Sequence, residues 1–299
     1  MRTVSQQRPE WVHTALGYAA LTKPRIIELL LVTTVPAMVL AAGGIPPVRE
    51  ILVTVLGGTL AAGGANAANM WYDRDIDSLM GRTKRRPIVT GEVSASGALV
   101  FAVAIEAVAF LLLYAGDNLL SAVLALFAAL FYVFIYTMWL KRLMPQNIVI
   151  GGVAGAIPVL VGWAAVRDSL SLAAWLMFAV VFVWTPPHFW GLAFRYSDEY
   201  RQAGVPMLPS VAPARRSAIE ILAYTLLLAV VAEVLGLAAN LGAVYGWACL
   251  ALNAGFIWYS YQLLRRQTAK AAMRVFSYSI SYLTLLFAGI AADVILRSH

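Results

Sequence analysis

Nine apolar runs of near-membrane length punctuate the chain, at 26–43, 51–70, 97–115, 119–139, 148–166, 172–194, 218–239, 242–262 and 276–296. A helix needs about twenty apolar residues to cross the hydrocarbon core of a bilayer, so each run is a candidate span. The pattern predicts an all-α integral membrane protein with about nine transmembrane helices in one bundle. No linker, low-complexity tract or shift in composition divides it, which makes residues 1–299 a single domain.

The polar residues between the runs test this count. Of the 22 Lys and Arg residues, 19 fall on alternate connections: in the N-terminal arm and after the second, fourth, sixth and eighth runs. Only Arg49, Arg167 and Arg297 fall on the opposite side. Short cytoplasmic loops hold most basic residues, so the N-terminus is expected to be cytoplasmic and the C-terminus to lie across the membrane. The formal net charge of +7 is then a topology signal, with attraction to membrane lipids as a secondary effect, and gives no indication of nucleic-acid binding. With 61% hydrophobic and 12% charged residues the chain lies outside the balance of a soluble domain. The single Cys249 excludes an intrachain disulfide and any multi-cysteine metal site, and reads as a packing residue. Residues 1–22, a cytoplasmic arm in this topology, contain no apolar core of a signal peptide. A bacterial inner membrane is the expected location, with a mitochondrial inner membrane as the alternative.

Two connections are long. Residues 71–96 and 195–217 both follow a run, both lie on the expected cytoplasmic side and both begin with acidic residues beside tyrosine, as two walls of one active site would. Their separation suggests a four-helix unit used twice, followed by a ninth helix. Gly63, Gly64, Gly151, Gly152 and Gly155 are expected to allow close helix approach. Pro186 and Pro187 interrupt the hydrogen bonding of the sixth run, either as a kink or as broken backbone lining a cavity.

The chemistry concentrates where the second run ends. Asn69, Asp73 and Asp77 recur every four residues, and on a helix each step advances about 40° beyond a full turn, so the three form one slanting stripe. Carboxylates at the edge of hydrocarbon are costly unless they pair, bind metal or face a wet cavity. One hard cation, Mg²⁺ on a phosphorylated substrate, is the natural occupant. Asp75 points elsewhere if the helix continues. Positive charge on a diphosphate leaving group lowers the barrier to its departure, and Lys23, Arg25, Arg82, Arg86 and Lys141 are candidates for that role or for inside-positive anchors. Glu28, Glu106, Glu233 and Asp293 also fall within runs and read mainly as buried helix contacts.

Residues 66–77, followed by Arg82-Thr83-Lys84-Arg85-Arg86-Pro87, resemble the first signature of the UbiA superfamily of intramembrane prenyltransferases. The resemblance implies that Asn69, Asp73 and Asp77 hold Mg²⁺ against an isoprenyl diphosphate, with Asp73, Asp77 and Lys141 catalytic. Residues 136–142 resemble the segment whose lysine, here Lys141, faces the diphosphate. The second signature departs from the family, since Gln202 stands where a second aspartate is usual; the resemblance leaves Asp198 as the candidate ligand of a second Mg²⁺, with Glu199 as its substitute or a solvated loop carboxylate, and one or two metals open. Trp184-Thr185-Pro186-Pro187-His188-Phe189-Trp190, residues 203–209, residues 21–25 and residues 276–283 are similar to the haem-farnesylating branch of that superfamily, so the likeness runs through nearly the whole chain. It implies transfer of the farnesyl group of farnesyl diphosphate to the 2-vinyl carbon of haem B, with water supplying a hydroxyl to give haem O, and a downstream haem A synthase as partner. Tyr72, Tyr136, Trp184 and Trp190, with Trp71, are candidate aromatic faces for isoprenoid or porphyrin, or interfacial anchors. His188, inside a run, is a candidate haem contact or a hydrogen-bonded core imidazole. Transfer to an aromatic quinone precursor such as 4-hydroxybenzoate is the rival within the fold, and a transporter the rival outside it.

Overall fold

The computed structural model describes residues 10–298, with the side chains of residues 10, 11 and 25–30 outside the description. A short helix α1 (Glu10–Leu21) precedes nine longer ones. These are α2 (Pro24–Ala42), α3 (Val48–Tyr72), α4 (Ala95–Gly116), α5 (Leu119–Arg142), α6 (Asn147–Arg167), α7 (Leu172–Arg195), α8 (Ala214–Ala238), α9 (Ala243–Arg266) and α10 (Ala269–Arg297). Each apolar run of the sequence falls on one of them. Among the described residues, α3 to α8 and α10 are each long and apolar enough to cross a membrane.

Local chemistry sets the helix starts. In hydrocarbon every backbone amide needs an internal partner, and the first turn of a helix leaves amides that only a side chain can satisfy. Ser94, Asn118, Ser171 and Thr268 each accept from the backbone N–H three residues on, at 3.1, 2.8, 3.3 and 3.3 Å. The start of α9 is capped across space instead: Asp293 of α10 accepts from Gly242 N at 2.6 Å and Tyr245 N at 3.3 Å. This explains one in-span carboxylate. Glu233 is a second, accepting from Asn253 at 3.2 Å. Glu106 is half-buried, its two carboxylate oxygens buried against α3 with neither hydrogen-bonded, and Glu28 lies outside the described side chains. Buried Cys249 packs in the core of the α7–α10 half.

Helices α3 to α6 pack as one group and α7 to α10 as another, joined through α6 against α7. Helix α2 lies against α3, α6 and α10. The expected order is therefore corrected: the unpaired helix comes first in the chain, because α2 wedges between the groups while α10 closes the second against α7 and α9. Small residues permit the close contacts. A Cβ on Gly64 would lie 3.0 Å from the Ala102 carbonyl of α4, and one on Gly151 would lie 2.4 Å from the Tyr136 ring. Gly155 meets nothing within 4 Å and is not a packing glycine. Pro186 and Pro187 do not break α7, which runs unbroken through both; Thr185 donates to the Val181 carbonyl at 2.8 Å beside the two carbonyls that the prolines leave without amides.

Candidate active site

The acidic stripe survives the end of its helix. Helix α3 stops at Tyr72 and a short helix runs over Arg74–Leu79, yet Asp73 N still bonds Asn69 O at 2.9 Å and Asp77 N bonds Asp73 O at 2.8 Å. The four-residue register therefore holds through the junction. Asn69, Asp73 and Asp77 are all buried, Asp73 completely. Asp75 points away as expected: 61% of its side chain is exposed, and Arg142 grips it bidentately at 2.8 Å through each oxygen. That hydrogen bonding pulls its carboxyl down to about 2.

Cations from three distant segments converge on the stripe. Lys141 donates to Asp73 Oδ2, Arg142 approaches Asp73 Oδ1 at 3.6 Å, Arg86 pairs with Asp77 Oδ2 at 2.5 Å, and Lys23 donates to Asn69 Oδ1 at 2.8 Å. The amide of Asn69 is oriented by two acceptors, Asp73 Oδ2 at 2.7 Å and Thr137 Oγ1 at 3.1 Å. Burial lowers the pKa of Lys23 well below its usual range, and the positive charges of Arg86 and Lys141 add to the effect. The four cations outnumber the carboxylates of Asp73, Asp75 and Asp77, and they stand ready to turn to an anion that brings more negative charge.

Helix α5 explains how Lys141 gets there. Its α-helical part ends at Leu130, and Phe131–Trp139 is wound as a π-helix followed by a tight turn at Leu140–Arg142. A π-segment is a costly winding found mostly at functional sites. Here it carries buried Thr137 to Asn69 and Lys141 to Asp73, while Tyr136 stacks on Tyr132 at 5.5 Å and fills the space above Gly151.

The two long connections meet. Arg82 donates to the Tyr200 hydroxyl at 3.4 Å, and the Glu199 carboxylate lies 3.7 Å from where a Cβ on Gly81 would stand. Glu199 Oε2 is buried without a hydrogen bond, as is Asp73 Oδ1. Asp198 instead is exposed and paired with Arg201 at 2.8 Å. The sequence favours Asp198 as the second-wall ligand, but it is Glu199 that turns inward, because Arg201 holds Asp198 at the surface.

The aromatic candidates separate. Trp184 and His188 stack at 4.3 Å, Phe276 of α10 lies 4.7 Å from the imidazole, and Trp184 Nε1 donates to Ser279 O at 2.8 Å. The Ser279 hydroxyl donates to Phe276 O at 2.6 Å and sits 2.7 Å from His188 Nδ1. A hydroxyl has one proton, so Nδ1 must be the donor, which leaves the Nε2 lone pair unprotonated. Trp190 is on the other side of α7, against Tyr224 at 5.5 Å, and Tyr72 carries Arg142 on its ring at 4.8 Å; neither joins the stack. The side chain of Arg25 lies outside the described residues. Thr137, Arg142, Tyr200 and Ser279 were not singled out from the sequence. Thr137 carried a usable signal, lying one turn before Lys141.

An all-helical membrane bundle with a buried acid–amide stripe, ringed by cations, is the architecture of an intramembrane prenyltransferase. Residues 30–287 match the model of the UbiA prenyltransferase family. The chain is 48% identical to a protoheme IX farnesyltransferase of Kineococcus radiotolerans over 97% of its own length and 91% of that protein. It is 52% identical to protoheme IX farnesyltransferase 1 of Saccharopolyspora erythraea, over 93% and 89% of the two chains. Its fold is similar to that of digeranylgeranylglyceryl phosphate synthase, with TM-score 0.79 and 16% identity over 95% and 99% of the two chains. A UbiA homologue from Archaeoglobus fulgidus bound to GPP and Mg²⁺ is similar at TM-score 0.65 and 16% identity, over 92% and 99%. The chain belongs to the UbiA prenyltransferase family, among its protohaem IX farnesyltransferases.

Proposed function

We propose that this protein transfers the farnesyl group of farnesyl diphosphate to the 2-vinyl group of haem B, with addition of water, releasing diphosphate and haem O. The observation that carries the diphosphate half is the buried acid–amide stripe with Lys23, Arg86, Lys141 and Arg142 already upon it. Among the described residues no three acidic or histidine side chains form a ready-made metal cage. Mg²⁺ does not require one, since it is usually held by one or two carboxylates plus substrate phosphates. The buried, unbonded Asp73 Oδ1 and Glu199 Oε2 are hard donors of the right kind. Asn69, Asp73, Asp77 and Glu199 would hold the ion. When bound it would neutralise charge on the leaving diphosphate.

The chain's own residues supply the rest. Lys23, Arg86 and Lys141 exchange their carboxylate and amide partners for phosphate oxygens, so a good part of the desolvation cost of these buried charges is met before substrate arrives. The farnesyl C1–O bond breaks with its electron pair leaving on diphosphate; the allylic cation adds the vinyl group at its terminal carbon. Water takes up the cation formed next to the ring and gives up one proton. His188, fixed by Ser279 in the tautomer with a free Nε2 lone pair and flanked by the rings of Trp184 and Phe276, positions the flat porphyrin. The relatives' identity favours haem over a phenolic acceptor.

Purified protein given haem B, Mg²⁺ and farnesyl diphosphate should yield a porphyrin heavier by one farnesyl group plus one hydroxyl group on mass spectrometry. Asp73→Asn, which keeps shape but removes the charge, should lower turnover at least about 100-fold, and chelation should act the same way. Prenylation of 4-hydroxybenzoate with haem left untouched would defeat the proposal.

A further inference from the structure

One basic cleft takes no part in this site. It encloses about 1110 Å³ where the last turns of α7 and α9 meet the first turns of α10. Arg195 comes from α7, Arg266 from α9, and Lys270 and Arg274 from α10, with Trp258 and Tyr278 as aromatic wall. All four cations are exposed, and no carboxylate lines the cleft. Among the described residues none of the four has an ion-pair partner. Four like charges with no counter-charge repel one another, so this end of the bundle is electrostatically incomplete.

The cleft is separate from the His188 stack. Ser277 and Ser281 line it, whereas Ser279 between them bonds His188. Two residues turn a helix by about 200°, which puts the cleft and the stack on opposite faces of α10. Farther from the charged end the exposed surface turns apolar, with Trp258 56% and Leu285 54% exposed. Charge at one end and a hydrocarbon-facing surface beyond it fit an amphiphile with an anionic head.

We infer that this cleft binds the headgroup of an anionic phospholipid carrying two phosphates, a diphosphatidyl lipid of the cardiolipin type. Four cations drawn from three helices suit two separated phosphates better than one, and basic pockets between transmembrane helices are where such headgroups bind. Arginine contributes paired donors to phosphate oxygens, and the acyl chains run along the apolar outer surfaces of α9 and α10. The lipid would tie together the ends of three helices whose charges otherwise push them apart.

The test uses the full chain in phosphatidylcholine nanodiscs, with cardiolipin or phosphatidylglycerol added at matched total charge. Lipid retained is read by native mass spectrometry and stability by thermal unfolding. Cardiolipin should be retained and should raise the unfolding temperature more than phosphatidylglycerol does. The Arg266→Gln/Arg274→Gln double variant should retain about tenfold less of it or lower still, and the Arg266→Lys/Arg274→Lys variant should fall between. Farnesyl diphosphate affinity, unchanged in all three proteins, reports that each is folded. Equal retention by wild type and the Gln variant would overturn the inference, as would equal effects of the two lipids. Loss of haem B affinity in the Gln variant with cardiolipin retention intact would overturn it in favour of a site for porphyrin carboxylates.

Discussion

Thr137 holds a place in this site out of proportion to its chemistry. Its hydroxyl and Asp73 together take both protons of the Asn69 amide, so the amide oxygen faces Lys23 and the space a cation would fill. A group that orients a metal ligand typically changes metal affinity by 10- to 100-fold when lost, so Thr137→Val is expected to weaken Mg²⁺ binding about tenfold, and Thr137→Ser to restore it. Calorimetric titration of Mg²⁺ in the presence of a non-hydrolysable farnesyl diphosphate analogue measures this without turnover; equal affinities for Val and wild type would remove the assignment. His188 is the matching test for the acceptor. His188→Ala is expected to lower haem B affinity by about tenfold, or more than 1 kcal/mol, while diphosphate affinity stays unchanged. Spectral titration with haem distinguishes this from a packing role, in which both affinities would move with stability or neither would move.

At the scale of single elements, the ends of the helices hold most of the structural decisions. Asp117, just past α4, accepts from Thr54 of α3 at 2.9 Å, but its other oxygen is buried with no partner. Burial raises its carboxyl to about 6, with Glu50 nearby adding to the effect and the Thr54 bond opposing it. A carboxyl with a raised folded-state pKa favours folding most when protonated. Its contribution is complete below the unfolded value near 4 and is lost as pH rises through about 6. Asp117→Asn should therefore raise the unfolding temperature at pH 8 and leave it nearly unchanged at pH 4.5. An equal shift at both pH values would show that ionisation of Asp117 is not the cause. The π-wound stretch of α5 teaches the same lesson from the other side. Nothing in the composition of Phe131–Trp139 announces that winding; the register is imposed by Thr137 and Lys141 reaching α3 while Tyr136 slots over Gly151.

For the whole molecule the decisive question is how the helices sit in the membrane. The 19-to-3 division of basic residues predicts that the connections containing Asp73 and Glu199 lie on the same, cytoplasmic, face. Reporter fusions in the 71–96 and 195–217 connections should both report the cytoplasm, and a fusion after residue 298 the opposite side. Fusions that place the two connections on different faces would contradict the Arg82–Tyr200 contact as well as the topology. Nine crossings require α2 and α9 to span alongside the seven strongly apolar helices, and the same fusions test that count.

The sequence by itself determined the helices and the stripe. Hydrophobic length is a local property, and a four-residue spacing fixes one helical face wherever the helix goes, so the runs fell on helices and Asn69, Asp73 and Asp77 stayed in line through the break at Tyr72. The tertiary structure decided everything that depends on which helix lies beside which. Lys141 meets Asp73 across 68 residues and Lys23 meets Asn69 across 46. Glu199 turns inward while Asp198 pairs with Arg201, Trp184 joins His188 while Trp190 does not, and α2 rather than α10 is the helix outside the two groups of four. The physical reason is that lipid-soluble helix faces are nearly alike in hydropathy. Their pairing is settled by small residues such as Gly64 and Gly151, by shape, and by a few buried hydrogen bonds, none of which leaves a periodic mark along the chain.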